Sequence, residues 1–379
     1  MKLGILTHPL LGNYGGLLQA YALVKALCNM GHDAYVLSYM PESYKKTLKN
    51  PFKRFKERFR IFLLKHNLVF SDFKTPLILQ MENGMSFERN YVPSLWIDDD
   101  PGGVVEANEI DAVVVGSDQV WRGEYARPMK SYPFFFLDFV KPEVRRRSIA
   151  YAASFGTEVW TGDEEETRTC GGLLREFRAV SVREASGVDI CCKHLGVEAA
   201  WLPDPTLLLN PLDYTNLLEQ EETRKPHEEY IATYLLDNTE EIKSLVAEVS
   251  TVTGLPVQSM KAETTAANRQ DRFPVSVAQW LRYLRDCKYM ITDSFHGCVF
   301  SIIFNKPFVC LGNKKRGTTR FLSLFSVYGL ESRLVDDVSA AAVRKVLDCP
   351  IDWELVNRRR EKEREKGLQF ITEFLSPHS

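Results

Sequence analysis

The sequence predicts an α/β protein whose parallel sheets are covered by helices on both faces. Its 379 residues are 45% hydrophobic, which is enough to build two domains of ordinary size. Short apolar runs alternate with helical patterns along the chain, as is typical of a doubly wound parallel sheet. The alternation restarts after the proline-punctuated stretch LPDPTLLLNP at residues 202–211. We therefore expect a doubly wound first lobe and a second lobe that repeats the pattern.

Each predicted strand is a short apolar run that ends in polar or turn-forming residues. In the first lobe, residues 1–205, the runs LGILT, AYVLSY, DAVVVGS, SIAYAAS, AVSVR and AAWLP begin at residues 3, 34, 111, 148, 179 and 199. In the second lobe, residues 206–350, the runs YIATYLL, PVQSM, YMITDS and PFVCLG begin at residues 230, 256, 289 and 307. Residues 351–379 have mixed charges at helical spacing. They predict a C-terminal helix that can pack back on the first lobe.

Charge and cysteine content argue against several classes of protein. The formal net charge is −2, so the chain has no general attraction to nucleic acid. The eight cysteines form no CxxC pair, which is typical of reduced thiols in a cytoplasmic protein, and the acidic stretch DDDP at 98–101 lacks the spacing of a metal site. No apolar run reaches the roughly 18 residues of a membrane span, and the amino terminus does not read as a signal peptide. We expect a cytoplasmic protein without a metal.

A basic insertion at about residues 45–70 interrupts the alternation. It contains nine Lys or Arg residues and one Glu, interleaved with phenylalanines, leucines and an isoleucine. Two interpretations stay open. The insertion could be a solvated helix whose aromatic face packs on the core, or a basic amphipathic helix that lies on the inner face of an anionic membrane.

The stretch GNYGG, after the first predicted strand, raises the question of a nucleotide site. A dinucleotide fingerprint needs an acidic residue at the end of the second strand, but that strand ends in Ser38 and Tyr39. The P-loop pattern is absent as well. Glycines at a strand-to-helix turn still let a ligand approach the backbone. The alternative is a tight turn that binds no ligand.

Four further stretches, read together with GNYGG, resemble the polysaccharide pyruvyl transferase family. They are VVVGSDQVW at 113–121, SVRE at 181–184, LPDPTLLL at 202–209 and ITDSFHGCVFSIIFNKPFV at 291–309. The resemblance implies two Rossmann-like lobes similar to the glycosyltransferase B-type fold, with the active-site cleft between them. It also implies that the enolpyruvyl unit of phosphoenolpyruvate is transferred, without a cofactor, to two hydroxyls of a glycan or lipid-linked sugar. A cyclic pyruvate ketal, part of a cell-surface polysaccharide, and phosphate would be the products.

His296, in TDSFHG, is the candidate catalytic acid and base. The donor's methylene carbon must be protonated and hydroxyls must be activated, and histidine is suited to both tasks near neutral pH. The resemblance implies a functional histidine at this place; the alternative is a structural histidine at a helix start. Asp118, in GSDQVW, is the second candidate and would orient or deprotonate an acceptor hydroxyl. Its alternative role is a helix cap.

The donor's phosphate and carboxylate call for cations. Arg183 ends the run AVSVR and corresponds to an arginine that holds the donor in the family. The alternative for Arg183 is a salt bridge between the lobes, with an acid such as Glu184.

One branch of the family has an arginine two residues before the histidine, where this chain has Ser294. We expect Ser294 to donate a hydrogen bond to the donor. The loop GNKKRGTTR, which contains Lys315 and Arg316 and ends at Arg320, could supply the missing cation; the alternative is a solvated basic loop. We place the acceptor in the first lobe, near Asn13, Gly15, Gly16 and Ser117.

Two other functions fit the predicted architecture. A glycosyltransferase that uses a sugar nucleotide would need a nucleotide pocket in the second lobe, for which the sequence shows no convincing carboxylate pair. A non-catalytic glycan-binding protein would bind acceptors independently of His296 and Arg183.

Overall fold

The chain folds into two compact units, each built on a parallel sheet. The computed structural model describes residues 1–69, 73, 75–237, 239–263, 266, 269–312, 318–336 and 339–375. Among these, the first unit contains Met1–Asn50, Gly84–Leu209 and residues 361–375, and the second contains residues 51–83 and Asn210–Arg360. The main division therefore falls four residues beyond the predicted boundary. Residues 51–83, which the sequence prediction counted with the first lobe, cluster with the second unit.

The first sheet has seven parallel strands in the order β3-β2-β1-β4-β5-β6-β7. They are β1 Lys2–Leu6, β2 Asp33–Ser38, β3 Ser94–Trp96, β4 Ala112–Val115, β5 Ile149–Ala153, β6 Ala179–Val182 and β7 Ala200–Trp201. The central strands β4 and β5 are buried at every position, because helices cover both faces of a doubly wound sheet. Seven helices of this unit are α1 Tyr14–Asn29, α2 Glu42–Lys49, α5 Pro101–Ala107, α6 Gly123–Met129, α7 Pro142–Arg145, α8 Glu164–Leu174 and α9 Ala185–Ile190.

The second sheet has five parallel strands in the order β12-β11-β10-β8-β9. They are β8 Ile231–Tyr234, β9 Val257–Ser259, β10 Tyr289–Thr292, β11 Phe308–Leu311 and β12 Leu334–Val335. The remaining helices are α3 Pro51–Lys65, α4 Leu77–Tyr91, α10 Pro211–Glu219, α11 Glu240–Thr253, α12 Val277–Asp286, α13 Phe295–Ile303, α14 Thr319–Tyr328, α15 Ala340–Asp348 and α16 Trp353–Leu375. Helix α4 runs across the division at residues 83 and 84.

The C-terminal part of α16 is built into the first unit. Ile371 and Leu375 are fully buried, and the Arg364 Nε donates to the carbonyl oxygen of Leu208 at 3.0 Å. The Lys366 Nζ donates to the carbonyl oxygen of Trp201 at 2.6 Å. Residues 361–375 therefore belong to the first unit although 151 residues separate them from Leu209 in the sequence.

The structure confirms the predicted fold class of two Rossmann-like parallel sheets. Within the ranges that the structure describes, no helix is long and apolar enough to span a bilayer.

Candidate functional site

The strand order of each sheet reverses at one place, and open α/β sheets bind ligands at such a switch point, outside the carboxyl ends of the strands. In the first sheet the switch point lies between β1 and β4, and in the second sheet between β8 and β10. GNYGG follows β1, GSDQVW follows β4, and TDSFHG contains the end of β10. Three of the motifs that the sequence analysis selected are therefore at switch points.

At the first switch point the structure brings Asn13, Gly16 and Asp118 together. The Asn13 Nδ2 lies 3.4 Å from the Asp118 Oδ2, and a Cβ added at Gly16 would lie 3.3 Å from that Nδ2 and 3.5 Å from that Oδ2. Gly15 and Gly16 are in the first turn of α1, where both are buried. A larger residue at 16 would therefore crowd both polar groups.

Asp118 has a backbone φ of 79°, in the left-handed region that few residues other than glycine adopt. Its Oδ1 accepts a hydrogen bond from the Gln119 backbone N–H at 2.8 Å. Backbone geometry of this kind is often found at functional sites, so it supports the selection of Asp118.

Arg183 forms an ion pair with Asp204, which the sequence analysis did not pair with it. The Arg183 Nη1 lies 2.5 Å from the Asp204 Oδ2, and the two side chains are only 2% and 0% exposed. Ser117 joins the same cluster, since its Oγ donates to that Oδ2 at 3.0 Å and accepts from the Arg183 Nη1 at 3.2 Å. The other Asp204 oxygen accepts from the Thr206 backbone N–H at 3.0 Å, so Asp204 also caps the short helix at Pro205–Leu208.

The salt bridge of Arg183 therefore differs from the expected alternative, because its acid is Asp204 and both residues belong to the first unit. Glu184 is fully buried, and its Oε1 accepts from the backbone N–H groups of Phe155 and Gly156 at 2.7 and 3.1 Å. Direct contact between Arg183 and the donor stays a prediction.

At the second switch point a set of hydrogen bonds fixes the turn between β10 and α13. Asp293 accepts from the backbone N–H groups of Leu236 and Asp237, at 2.6 and 2.9 Å, and so ties the end of β10 to the end of β8. The Thr292 Oγ1 donates to the Tyr234 carbonyl oxygen at 2.7 Å and accepts from the Ser294 N–H at 3.0 Å. The turn is therefore fixed by its own hydrogen bond and by three hydrogen bonds to the end of β8.

Ser294 is the N-cap of α13, and its Oγ accepts from the Gly297 N–H at 3.4 Å. His296 is the second residue of the helix and is 6% exposed. Its ring packs edge-on against that of Phe295, with 5.4 Å between the centroids. A Cβ at Gly297 would collide with the Thr292 Oγ1, so only glycine fits after the histidine. His296 thus lies at the positive end of the α13 dipole, where an anion is stabilised.

Two cations lie near this turn. The Arg320 guanidinium, in the first turn of α14, is 5.9 Å from the centroid of the Phe295 ring. Lys261 follows β9, and its Nζ donates to the Leu236 carbonyl oxygen at 3.3 Å. Lys315 and Arg316, which the sequence analysis assigned to the donor, lie outside the described residues. Lys261 was missed, although its place directly after the apolar run PVQSM puts it at a carboxyl strand end.

Burial limits the chemistry of the other groups in this region. It raises the pKa of the Cys298 thiol well above its ordinary value, so this cysteine stays protonated and is a poor nucleophile. In the described part of the chain no group of three or more His, Cys, Asp or Glu side chains could hold a metal ion.

Comparison with known proteins gives a family match and a fold match. The family model described as "Polysaccharide pyruvyl transferase" matches residues 13–315. No curated protein matches the chain closely enough to count as a relative.

Among solved structures, a UDP-GlcNAc 2-epimerase from Neisseria meningitidis bound to UDP-GlcNAc is similar, with a TM-score of 0.52, 11% identity and 99% coverage of both chains. A putative UDP-N-acetylglucosamine 2-epimerase from Listeria monocytogenes has a TM-score of 0.51 at 12% identity, covering 97% of this chain and 90% of its own. The glycotransferase of kitacinnamycin has a TM-score of 0.50 at 13% identity, covering 99% of this chain and 98% of its own. At these identities the likeness concerns the two-lobed fold alone.

Proposed function

The chain belongs to the polysaccharide pyruvyl transferase family, and we propose that it transfers the enolpyruvyl unit of phosphoenolpyruvate to two hydroxyls of a glycan or lipid-linked sugar. The products are a cyclic pyruvate ketal and phosphate. The observation that carries the proposal is the buried His296 at the start of α13, next to the Phe295 ring that the Arg320 guanidinium approaches.

The proposed reaction balances without water, an oxidant or a reductant. One acceptor hydroxyl adds to C2 of the donor while the methylene carbon C3 gains a proton and becomes a methyl group. The second hydroxyl then displaces phosphate from C2. Of the two protons that the hydroxyls lose, one is taken up at C3 and the other leaves with phosphate. The site therefore needs a group that both gives and accepts a proton.

His296 is the group that we assign to this proton transfer. Histidine exchanges protons near neutral pH more readily than any other side chain. Its burial at a helix start keeps bulk water away from the carbon that is protonated. Catalysis by such a positioned acid and base typically contributes about 10²- to 10⁴-fold in rate.

The anionic donor needs positive charge around its phosphate and carboxylate. We assign this role to Arg320 and Lys261, together with the Ser294 hydroxyl and the amino end of α13. Lys315 and Arg316 keep their predicted role as further cations for the donor. Arg320 thereby takes the place of the arginine that one branch of the family has at position 294.

The acceptor is assigned to the first switch point. Asp118 would orient or deprotonate a hydroxyl, and Asn13 would hold its carboxylate in place. Gly15 and Gly16 would leave room for a sugar at the start of α1. Ser117, bonded to both Arg183 and Asp204, would hold the end of β4 in position.

The test is acceptor-dependent release of phosphate from phosphoenolpyruvate by the purified full-length protein. The acceptors are a panel of galactosyl, mannosyl and hexosaminyl compounds, and the ketal is identified by NMR. We expect His296→Ala to lower kcat by about 10²-fold or more. Arg320→Gln should act mainly on the donor and raise its KM by roughly tenfold to a hundredfold, because a charge-assisted hydrogen bond is lost.

Two exposed residues supply matched controls. His194→Ala and Arg358→Gln remove a histidine and an arginine that lie on the surface, and both variants should keep full activity. If no acceptor yields a ketal, or if His296→Ala stays fully active, the proposal is wrong. Thermal stabilisation by a uridine or guanosine diphosphate, but not by phosphoenolpyruvate, would favour a glycosyltransferase instead.

A further inference from the structure

Helix α3, Pro51–Lys65, carries four phenylalanines on its solvent-exposed side. Phe52, Phe55, Phe59 and Phe62 are 83%, 70%, 50% and 50% exposed. The rings of Phe55, Phe59 and Phe62 stack in sequence, with 6.4 and 6.3 Å between neighbouring centroids. We call these four residues the phenylalanine stripe. Large apolar side chains that are contiguous and exposed usually mark an interaction surface.

The opposite side of α3 is anchored in the second unit. Leu64 is fully buried, and the buried Glu57 accepts from the Leu77 backbone N–H at 2.6 Å and from the Arg60 Nη1 at 2.9 Å. At about 100° of rotation per residue, Glu57 and Leu64 point almost directly away from the phenylalanine stripe. The outward direction of the phenylalanines is therefore fixed by packing. The solvated-helix interpretation placed the aromatic face on the core, and the structure places it in solvent.

Positive charge flanks the phenylalanine stripe on both sides. The helix contains six Lys or Arg residues and a single acid, Glu57. That acid is already engaged by Arg60. On the helical wheel Arg58 and Lys65 lie on one side of the stripe and Lys56 lies on the other.

We propose that α3 binds the surface of an anionic lipid bilayer, with the helix axis in the membrane plane and the phenylalanine stripe inserted among the acyl chains. An apolar face bordered by Lys and Arg is the arrangement of interfacial helices, which combine apolar burial with attraction to anionic headgroups. At about 22 Å for 15 residues, α3 is too short to span the bilayer.

Charge complementarity selects the lipid surface over a second copy of this chain. A symmetric contact would place the same face of α3 against itself. The cations beside the phenylalanine stripe would then repel one another, because Glu57 lies on the opposite, buried side. An anionic bilayer instead supplies the missing negative charge.

Sedimentation of the full-length protein with lipid vesicles tests the proposal without any substrate, so its outcome is independent of the proposed transferase activity. The vesicles are phosphatidylglycerol mixed with phosphatidylcholine, or phosphatidylcholine alone. We expect binding to the anionic vesicles only. Phe55→Ala combined with Phe59→Ala should weaken it roughly tenfold or more. Lys56→Gln combined with Arg58→Gln should weaken it roughly 25-fold.

The second unit offers matched controls on other helices. Leu212 and Val252 are 66% and 55% exposed, and replacing both by Ala should leave vesicle binding unchanged. Lys243→Gln combined with Arg358→Gln removes two exposed charges elsewhere and should also have no effect.

Three results would overturn the proposal. The first is equal binding to neutral and anionic vesicles, and the second is full binding by the phenylalanine variant. The third is light scattering that shows a dimer for the unsubstituted protein and a monomer for the variant with Phe55→Ala and Phe59→Ala, while neither protein binds vesicles. Should the phenylalanine variant fail to fold, as judged by circular dichroism, the charge variant alone decides.

Discussion

Arg183 and Asp204 illustrate how a buried charge is accommodated in the first unit. Asp204 receives the Arg183 guanidinium, the Ser117 hydroxyl and the Thr206 N–H, so its two oxygens are both engaged. Bringing two charges out of water is costly, and good geometry with additional hydrogen bonds offsets that cost. Removing one charge of such a pair strongly destabilises the fold, because the other charge stays buried.

Asp204→Asn is therefore expected to lower the free energy of unfolding by about 3 kcal/mol, since it removes the carboxylate charge that faces the buried Arg183. The measurement is urea unfolding of both proteins. The control is Asp189→Asn, which breaks the exposed pair with Lys193 and should cost less than about 1 kcal/mol. If both variants lost the same free energy of unfolding, burial would not determine how much the pair of Arg183 and Asp204 contributes to stability.

The sequence could predict which residues belong to the candidate site, but it could not predict their contacts. His296 and Asp118 were selected because each lies near the carboxyl end of a predicted strand, which can be recognised in the sequence, and Ser294 because it stands where one branch of the resembled family has an arginine. The partnership of Arg183 with Asp204, and the approach of Arg320 to Phe295, join residues on different elements. Nothing in the spacing of those residues indicates such contacts, because they depend on the order of the strands in the sheet.

Helix α8 shows how one element combines local and tertiary stabilisation. Asp163 and Glu166 form a capping box, in which each side chain accepts a hydrogen bond from the other residue's backbone N–H. Glu166 also binds Arg127 of α6 through two hydrogen bonds, of 2.8 and 2.6 Å. The hydrogen bond from Arg127 lowers the pKa of Glu166, because it favours the ionised carboxylate.

Glu166→Gln tests this pair, since glutamine keeps the capping hydrogen bond and loses the charge. Because the pKa of Glu166 is lower in the folded protein, its stabilisation is complete above the pKa of the unfolded chain and is lost as the pH falls through the folded value. We expect the variant to be about 0.5–1 kcal/mol less stable at neutral pH, with a smaller difference in acid. Urea unfolding over a pH series measures both.

The neighbouring substitution Glu165→Gln is the control, because it removes a carboxylate from the same helix turn and so changes the helix-dipole interaction similarly. If the stability of both variants depends on pH in the same way, the pair of Glu166 with Arg127 contributes nothing beyond the interaction of a carboxylate with the helix dipole.

The apolar runs predicted the central strands and the short edge strands β7 and β9, and they missed β3 and β12. β4 and β5 lie within the predicted runs DAVVVGS and SIAYAAS. The edge strands β3 and β12, of three and two residues, are too short to show any periodicity. For α3 the sequence predicted a helix but left its buried side open, because that side is set by Leu77 and Glu57 meeting across 20 residues.

The chain as a whole passes through the first unit three times. It leaves after Asn50 and returns at Gly84, and it leaves again after Leu209 and returns with residues 361–375 of α16. Mixed charge and helical spacing predicted helix α16. The surface on which α16 packs could not be predicted, because it includes Tyr151 of β5 and Trp201 of β7, which the fold of the sheet brings to the helix. The Tyr151 ring meets that of Phe370 edge-on at 6.3 Å, and the Trp201 carbonyl oxygen receives the Lys366 Nζ. The first unit is thus completed only by the last residues of the described chain.

Ile371→Ala should therefore destabilise the first unit even though the substitution lies close to the C-terminus. Ile371 is fully buried, and replacing such a side chain by alanine removes apolar contacts and leaves a cavity, at a cost of about 2–5 kcal/mol. Calorimetric unfolding of the full-length protein should show a lower transition temperature. Glu373→Ala, an exposed position two residues further along α16, should change stability by less than about 0.5 kcal/mol. If Ile371→Ala were as mild as Glu373→Ala, residues 361–375 would not be part of the core of the first unit.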